Sequence, residues 1–161
     1  MIRKCRASDA PRMYLIINKA AEIYEDIIPA DRYQQPYMSM DELTGEMNRI
    51  TFFGWEIKGE LVGIMGMEPI KDITLIRHAY VLPEHQRKGI ASRLLNHIMH
   101  LFDGTRLLVG TWADASWAIS FYQKHGFRLL PDKDQLLKKY WDIPQRQIET
   151  SVVLGMDNTQ A

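Results

Sequence analysis

Hydrophobic and polar residues near the N-terminus follow patterns typical first of a strand and then of a helix. Residues 2–6 are predicted to form a strand, and Ser8 or Asp9 can cap the helix that follows, with Pro11 in its first turn. The apolar positions of that helix recur at helical spacing, at Met13, Tyr14, Ile16, Ile17, Ala20, Ala21 and Tyr24. A first helix that reaches about residue 24 is therefore predicted.

The next segment carries a capping signature and a turn signature. Ser39, followed three residues later by Glu42, is a capping box and predicts a second helix reaching about Asn48. Apolar runs at 51–57 and 61–67 flank a Lys-Gly-Glu turn. These two runs are predicted to be the strands of a hairpin.

The second half of the chain alternates between strand-like and helix-like patterns, and Gly126 stands where one helix should end. The predicted elements are strand 72–82, helix 90–102, strand 106–111, helix 116–125, short strand 127–130, helical turn 134–141 and final strand 147–154. Together with the first elements they give the order β-α-α-β-β-β-α-β-α-β-β. This order favours a mixed sheet with helices on both faces.

Length, composition and charge narrow the class of protein. The 161 residues show no internal repeat and no linker, which predicts a single domain over residues 1–161. Twenty basic and twenty acidic side chains cancel, so no bulk charge favours nucleic acid or an anionic membrane. Cys5 is the only cysteine, which excludes an internal disulfide, and no apolar run is long enough to predict a membrane span. We expect a cytoplasmic protein.

The loop before helix 90–102 combines basic side chains, a glycine and a helix start. The first turn of a helix has unpaired N–H donors and a partial positive charge, which together bind phosphate groups. An arginine-lysine-glycine run is also typical of a solvated loop. The spacing Gln86-x-x-Gly89-x-Ala91, however, resembles the acetyl-CoA pyrophosphate loop, Q/R-x-x-G-x-G/A, of the GNAT superfamily of N-acetyltransferases.

A second segment strengthens this resemblance. Ala118, Tyr122, Gly126 and Phe127 match the A-x-x-x-Y-x-x-x-G-F pattern that the superfamily commonly shows after the pyrophosphate loop. One position departs from it, because many relatives carry a cofactor-contacting asparagine where this chain has Ala115. Asp114 or Ser116 could substitute for that contact. The aromatic residues Trp112, Trp117 and Phe121 belong either to the core or to a wall of the site.

The resemblance implies a fold, an activity and a cofactor site. The fold is the GNAT acyl-CoA N-acyltransferase fold of the α/β class (α+β mixed sheet), with a central, largely antiparallel sheet flanked by helices on both faces. The activity is acetyl transfer from acetyl-CoA to a primary amine of a small molecule or peptide by direct attack on the thioester, with no metal. The cofactor-binding residues implied are Ala79, Tyr80, Val81, Gln86, Arg87, Lys88, Gly89, Ile90, Ala91, Ser92, Asp114, Ser116 and Tyr122.

The resemblance also implies catalytic roles. Tyr122 occupies the position of the general acid. The backbone N–H of Val81 occupies the position of the donor that stabilises negative charge on the thioester oxygen. No carboxylate occurs at 73–77 or 106–111, where relatives often place a base, and His78 is the candidate base because imidazole titrates near neutral pH. The alternatives left open are a water chain to bulk solvent and the carboxylates Glu22, Glu25, Asp26 and Glu68.

The acceptor amine is predicted to bind beneath the loop at residues 27–38. That loop contains Asp31, Arg32, Tyr33, Gln34, Gln35 and Tyr37, of which Tyr33 and Tyr37 are the candidate substrate residues. His97 and His100 have a metal-ligand spacing but no third ligand close in sequence. A non-catalytic acyl-CoA sensor is the alternative function. The final segment is predicted either to complete the sheet of the monomer or to contribute to a homodimer.

Overall fold

The chain folds around a seven-stranded sheet, as a computed structural model describes it for residues 1–30 and 33–158. The strands are β1 (Ile2–Lys4), β2 (Thr51–Ile57), β3 (Glu60–Ile70), β4 (Ile73–Val81), β5 (Arg106–Trp112), β6 (Arg128–Leu129) and β7 (Ser151–Asp157). The helices are α1 (Ala10–Ala20), α2 (Met40–Glu46), α3 (Ile90–Leu101), α4 (Ser116–Lys124), α5 (Lys133–Tyr140) and α6 (Gln145–Glu149). Turns of 3₁₀ helix occupy Ala7–Asp9, Ala21–Tyr24 and Pro83–His85.

The sheet is mixed and largely antiparallel, as the sequence predicts. Its strand order is β1-β2-β3-β4-β5-β7-β6, and among these strands only β4 and β5 run parallel. A parallel pair needs a crossover, and helix α3 supplies it between β4 and β5. Strand β7 pairs with β5 and β6 of the same chain, so the C-terminal segment completes this sheet.

Helices cover both faces of the sheet at β5. Leu107 and Val109 point into the larger core, which also holds buried side chains of α1, α2 and α3. Leu108, between them, points into a smaller core with buried side chains of α5 and α6. Because successive side chains of a strand point to opposite faces, the two cores lie on opposite sides of the sheet.

Local signals in the sequence gave several boundaries correctly. The Ser39 hydroxyl accepts from the Glu42 N–H at 3.1 Å and caps α2. The β2–β3 hairpin turns through Lys58 and Gly59, with φ angles of +52° and +83°, as expected of a tight turn with glycine in its second position. Helix α1 gives way to the 3₁₀ turn after Ala20, before the predicted end of the helix.

The predicted final strand at 147–154 is wrong in its first half. Pro144 leads into α6 over Gln145–Glu149, and β7 begins only at Ser151. The side chain of Ile148 is buried in the smaller core against α5, and the Thr150 hydroxyl donates to the Arg146 carbonyl at 3.0 Å. Packing against α5 therefore decides a segment whose alternating pattern is also compatible with a strand.

Candidate active site

A cleft opens where the two parallel strands part. β4 and β5 pair only as far as Ile76 and Val109, and residues 77–81 of β4 continue along β3 alone. A bulge in β4 places His78 and Ala79 opposite a single residue of β3, and His78 takes a left-handed φ of +56°. Bulges bend and twist a strand. The space between the diverging strands is a cleft of about 690 Å³.

The cleft brings together most of the residues that the sequence singled out. Those that line it are Tyr37, His78, Ala79, Tyr80, Val81, Gln86, Arg87, Gly89, Ile90, Ala91, Ser92 and Tyr122. Lys88, Asp114 and Ser116 are exposed and Tyr33 is half-buried, and none of these four belongs to the lining. Their contacts with ligands remain predictions. Asp31 and Arg32 lie outside the described residues.

The backbone N–H of Val81 faces the cleft. The neighbouring Leu82 N–H donates to the Val62 carbonyl on β3 at 2.9 Å. Because backbone donors of a strand alternate between its two edges, the Val81 N–H points to the edge that β5 has left. The Val81 carbonyl accepts from Nε2 of Gln86 at 3.1 Å, which ties the following loop to the end of β4.

The loop after β4 ends in a helix start with free donors. Gly89 is the N-cap of α3 and has a φ of +80°, and the first helical hydrogen bond runs from the Arg93 N–H to the Gly89 carbonyl at 3.1 Å. The N–H groups of Ile90, Ala91 and Ser92 therefore precede the helical ladder. A Cβ at position 89 would meet no protein atom within 4 Å, so the backbone conformation is what requires glycine there.

The motif around Tyr122 is a helix-ending structure. The Phe127 N–H donates to the Tyr122 carbonyl and the Gly126 N–H to the Gln123 carbonyl, each at 3.1 Å, which is the Schellman pattern with glycine at φ +94°. The rings of Tyr122 and Phe127 pack at 5.4 Å. Gly126 and Phe127 thus fix the last turn of α4 and the orientation of Tyr122 on it.

The surroundings of Tyr122 favour the protonated form of its phenol. Its side chain is buried, and its ring packs against Phe121 at 5.1 Å. Burial, with a smaller contribution from the nearby phenol of Tyr24, raises the pKa of Tyr122 above its usual value. Helices α3 and α4 also meet here, where the Ser92 hydroxyl lies 3.1 Å from Nε2 of His125.

The candidate bases differ sharply in their surroundings. Glu68 is buried but forms ion pairs with Arg49 at 2.7 Å and Arg77 at 2.9 Å, so it is occupied as a structural partner. The remaining carboxylates, Glu22, Glu25 and Asp26, are exposed and do not line the cleft. His78 lines the cleft.

Sequence reasoning missed the partner of His78. Oε2 of Glu46, at the end of α2, lies 2.5 Å from Nε2 of His78. Burial alone would raise the pKa of Glu46, but contact with His78 and the charges of Arg77 and Arg49 outweigh burial and lower this pKa. No local pattern connects positions 46 and 78, because the sheet and α2 bring them together only in the tertiary structure.

One side of the cleft is an aromatic wall formed by Tyr24, Tyr37, Tyr80 and Trp117. The ring of Tyr37 lies 6.0 Å from that of Tyr24 and 6.3 Å from that of Tyr80. Trp117 contacts Tyr24 at 5.8 Å. The three aromatic residues left open by the sequence, Trp112, Trp117 and Phe121, all line the cleft.

Two further findings concern metals and membranes. Within residues 1–30 and 33–158, no three His, Cys, Asp or Glu side chains are grouped as a metal site would require. In the same part of the chain, no helix has the length and apolar character needed to cross a membrane.

The fold and the cleft are together typical of the N-acetyltransferase class of enzymes. The sequence matches the family described as Acetyltransferase (GNAT) domain over residues 48–129, which is half of the chain. The protein belongs to this family of acetyltransferases. The match includes β4, the loop that follows it, and the helix that carries Tyr122.

Solved structures share the whole fold at low sequence identity. The ribosomal-protein-S18-alanine N-acetyltransferase from Escherichia coli matches with a TM-score of 0.74 and 17% identity, over 100% of this chain and 95% of that protein. The PaiA N-acetyltransferase from Thermoplasma acidophilum, in complex with coenzyme A, matches with a TM-score of 0.74 and 19% identity, over 98% of both chains. A GNAT family acetyltransferase from Elizabethkingia anophelis with acetyl-CoA bound matches with a TM-score of 0.64 and 18% identity, over 98% of this chain and 97% of that protein.

Proposed function

We propose that the protein transfers the acetyl group of acetyl-CoA to a primary amine of a small molecule or peptide by direct attack on the thioester. The observation that carries the proposal is the divergence of β4 and β5 after Ile76 and Val109. This divergence leaves a backbone donor, a buried phenol and a helix start facing a single cleft. The family to which the chain belongs supports the same chemistry.

The residues of the cleft fit an acyl-CoA. The N–H groups at the start of α3 and the side chain of Arg87 supply donors and positive charge for phosphate groups. No described strand pairs with the outer edge of β4 at Ala79 and Val81, so the backbone groups there can pair with the extended, amide-containing arm of the cofactor. Acetyl-CoA, when bound, supplies an activated thioester.

Two groups of the protein then serve the transfer. The fixed N–H of Val81 stabilises the negative charge that develops on the thioester oxygen, an effect worth about 3 kcal/mol for comparable backbone donors. The Tyr122 hydroxyl donates a proton to the departing thiolate, whose ordinary pKa is about 8.5. Because burial raises the pKa of Tyr122, its hydroxyl stays protonated at the pH where the amine reacts.

The acceptor amine must lose a proton before it attacks, because an alkylammonium has a pKa of about 10.4. His78 is the group we assign to this step. Its ring lines the cleft, and it stands on the same strand as Val81. The exposed carboxylates that the sequence left open do not line the cleft.

The aromatic wall supports an acceptor whose amine carries an apolar or aromatic group. Among the described residues that line the cleft, the charged side chains are Arg77, Arg87 and Lys124, and none is a carboxylate. With no carboxylate among those residues to pair with a polycation, polyamines and aminoglycosides are disfavoured, whereas aromatic side chains bury planar apolar groups well. A peptide amine remains an alternative, since one structural neighbour is named for its action on a ribosomal-protein alanine.

Release of free coenzyme A thiol, measured with a chromogenic disulfide, tests the proposal directly. The panel contains arylalkylamines, amino acids, peptides, polyamines and aminoglycosides. Burial raises the pKa of the Cys5 thiol to about 12, so the protein itself contributes little signal. Amine-dependent release is the expected result. Binding of acetyl-CoA without release for any amine would instead indicate a non-catalytic acyl-CoA sensor.

A further inference from the structure

His78 is held in an unusual backbone conformation that presents its ring to the cleft. Its φ of +56° is uncommon for a residue other than glycine, and it arises in the bulge where His78 and Ala79 face one residue of β3. The ring packs against those of Phe52 and Tyr80, with centroid distances of 6.1 and 6.5 Å and an angle of 22° between the planes in each case. These two neighbours restrict the orientation of the imidazole.

A carboxylate oxygen of Glu46 lies beside the buried nitrogen of that ring. Nε2 of His78 lies 2.5 Å from Oε2 of Glu46, and both side chains are 13% exposed. Within the described part of the chain neither atom forms a hydrogen bond of regular geometry, so this contact is the close polar contact that each of them makes. The distance allows Nε2 to donate its proton to Oε2, although the two groups are not ideally aligned. The other carboxylate oxygen of Glu46 faces Arg77 and Arg49, so Oε2 is the one that faces the ring.

A balanced cluster of charges surrounds the pair. Glu46 at the end of α2 also contacts Arg77 of β4 at 3.5 Å and Arg49 at 3.9 Å. Glu68 of β3 pairs with the same two arginines. The two carboxylates and two guanidinium groups cancel, and the half-buried side chain of Tyr80 is a further titratable group beside the ring of His78. Proton uptake by His78 therefore adds the one net charge to this cluster.

We propose that Glu46 and His78 form a dyad in which Glu46 positions the imidazole and leaves Nδ1 to accept the proton of the acceptor ammonium. The inference rests on the proposed function. With the Nε2 proton directed at Glu46, the lone pair of Nδ1 is the one left for the cleft. Glu46 is a positioning residue, because it acts through His78 and not on the substrate.

The protons balance through this arrangement. One N–H bond of the ammonium breaks, its electron pair stays on nitrogen for the attack, and an N–H bond forms at Nδ1. The carboxylate of Glu46 balances the charge of the imidazolium, which then releases its proton to water. As the C–N bond forms and the C–S bond breaks, the nitrogen loses its second proton to water, and Tyr122 gives its own proton to the departing thiolate and regains one from solvent.

The pH dependence of kcat/KM tests the dyad with a matched pair of variants. Glu46→Gln removes the carboxylate that faces His78, whereas Glu68→Gln removes a carboxylate of the same cluster that contacts only the arginines. Loss of a facing negative charge disfavours the imidazolium, so Glu46→Gln should move the acidic limb of the kcat/KM profile lower by about one pH unit. Because the imidazole is then a weaker base, kcat/KM should also fall about tenfold. Glu68→Gln should move the limb less than half as far. Equal displacement by both variants would overturn the proposal.

Nitrogen NMR of the histidine rings gives a second readout that needs no turnover. At neutral or higher pH the spectrum of the wild-type protein should show His78 protonated at Nε2. Glu46→Leu, which offers Nε2 no acceptor, should abolish this preference, whereas Glu68→Gln should keep it. His78→Asn assigns the signals and suits the left-handed backbone. A ring protonated at Nδ1 in the wild type contradicts the dyad. If the tautomer is as expected but no amine is acetylated, the proposed function fails and the pairing stands.

Discussion

Ile76 of β4 and Val109 of β5 are the last two residues that pair before the parallel strands diverge. Both side chains are buried in the larger core, so the divergence begins at a fixed point of the sheet. Beyond that point β4 keeps its pairing with β3, and its other edge faces the cleft. The proposed chemistry therefore uses backbone groups that a fully paired sheet would occupy.

Replacing Tyr122 by Phe tests the assignment of the general acid. We expect kcat to fall about 10²-fold with little change in acetyl-CoA affinity, because the ring remains and only the proton donor is lost. Tyr140→Phe is the control, since Tyr140 is also buried but donates to Asp72 at 3.1 Å away from the cleft. It should leave kcat unchanged. Steady-state kinetics and calorimetric binding of coenzyme A supply the measurements.

The pH profile of kcat gives an independent check on Tyr122. The acid form of this group is the active one, and its pKa is raised, so deprotonation should not reduce kcat below about pH 10. If kcat of the wild-type protein falls above about pH 8 and this fall is absent in Tyr122→Phe, burial does not keep the Tyr122 hydroxyl protonated.

A substitution at Gly89 should cost both stability and cofactor binding. Its φ of +80° is unfavourable for any residue with a Cβ, so Gly89→Ala should lower the free energy of unfolding by about 1 kcal/mol and raise KM for acetyl-CoA. Gly45 is the control, because it lies in α2 with open space around its Cα. Gly45→Ala should be stabilising by about 0.5 kcal/mol. Urea unfolding distinguishes the two, and an equal response would show that backbone conformation is not what matters at position 89.

Tyr37 should govern binding of the acceptor and not of the cofactor. It is the tyrosine at the centre of the aromatic wall, in contact with Tyr24, Tyr33 and Tyr80. We expect Tyr37→Leu to raise KM of an aromatic amine about tenfold, equivalent to about 1.4 kcal/mol, with KM of acetyl-CoA nearly unchanged. Tyr33→Leu should have a smaller effect, because among the described ring contacts Tyr33 reaches the wall through Tyr37 and does not itself line the cleft. A larger effect at Tyr33 would place the acceptor elsewhere.

The N-terminal ion pairs should make stability depend on acid pH. Hydrogen bonds from Arg3 at 2.8 and 2.9 Å lower the pKa of Asp9 from 3.8 to about 2. Because the pKa is lower in the folded state, this stabilisation is complete above about pH 5 and is lost as the pH falls towards about 2. Asp9→Asn should cost about 2 kcal/mol at neutral pH but only about 0.4 kcal/mol at about pH 2. Denaturant unfolding at several pH values gives the loss of unfolding free energy in this variant and in the exposed control Asp142→Asn. A loss in Asp9→Asn that does not change with pH would contradict the assignment.

Local patterns predicted much of the fold because several signals are chemically specific. Ser39 caps α2, Gly126 ends α4, and the turn at Lys58 and Gly59 joins β2 to β3, as the sequence indicated. Each of these features depends on residues close together in the chain. The error at 147–154 arose where a distant helix, α5, decides whether Ile148 belongs to a strand or a helix.

The sequence by itself determined the family, the loop at 86–91 and the position of Tyr122, because these depend on short-range spacing and on residue types that suit a helix start or a helix end. Only the tertiary structure decided that β4 and β5 part after Ile76, that the Val81 N–H is left facing the cleft, and that Glu46 reaches His78. Strand divergence and contacts between distant elements depend on the packing of the whole sheet. No short segment of the sequence encodes them.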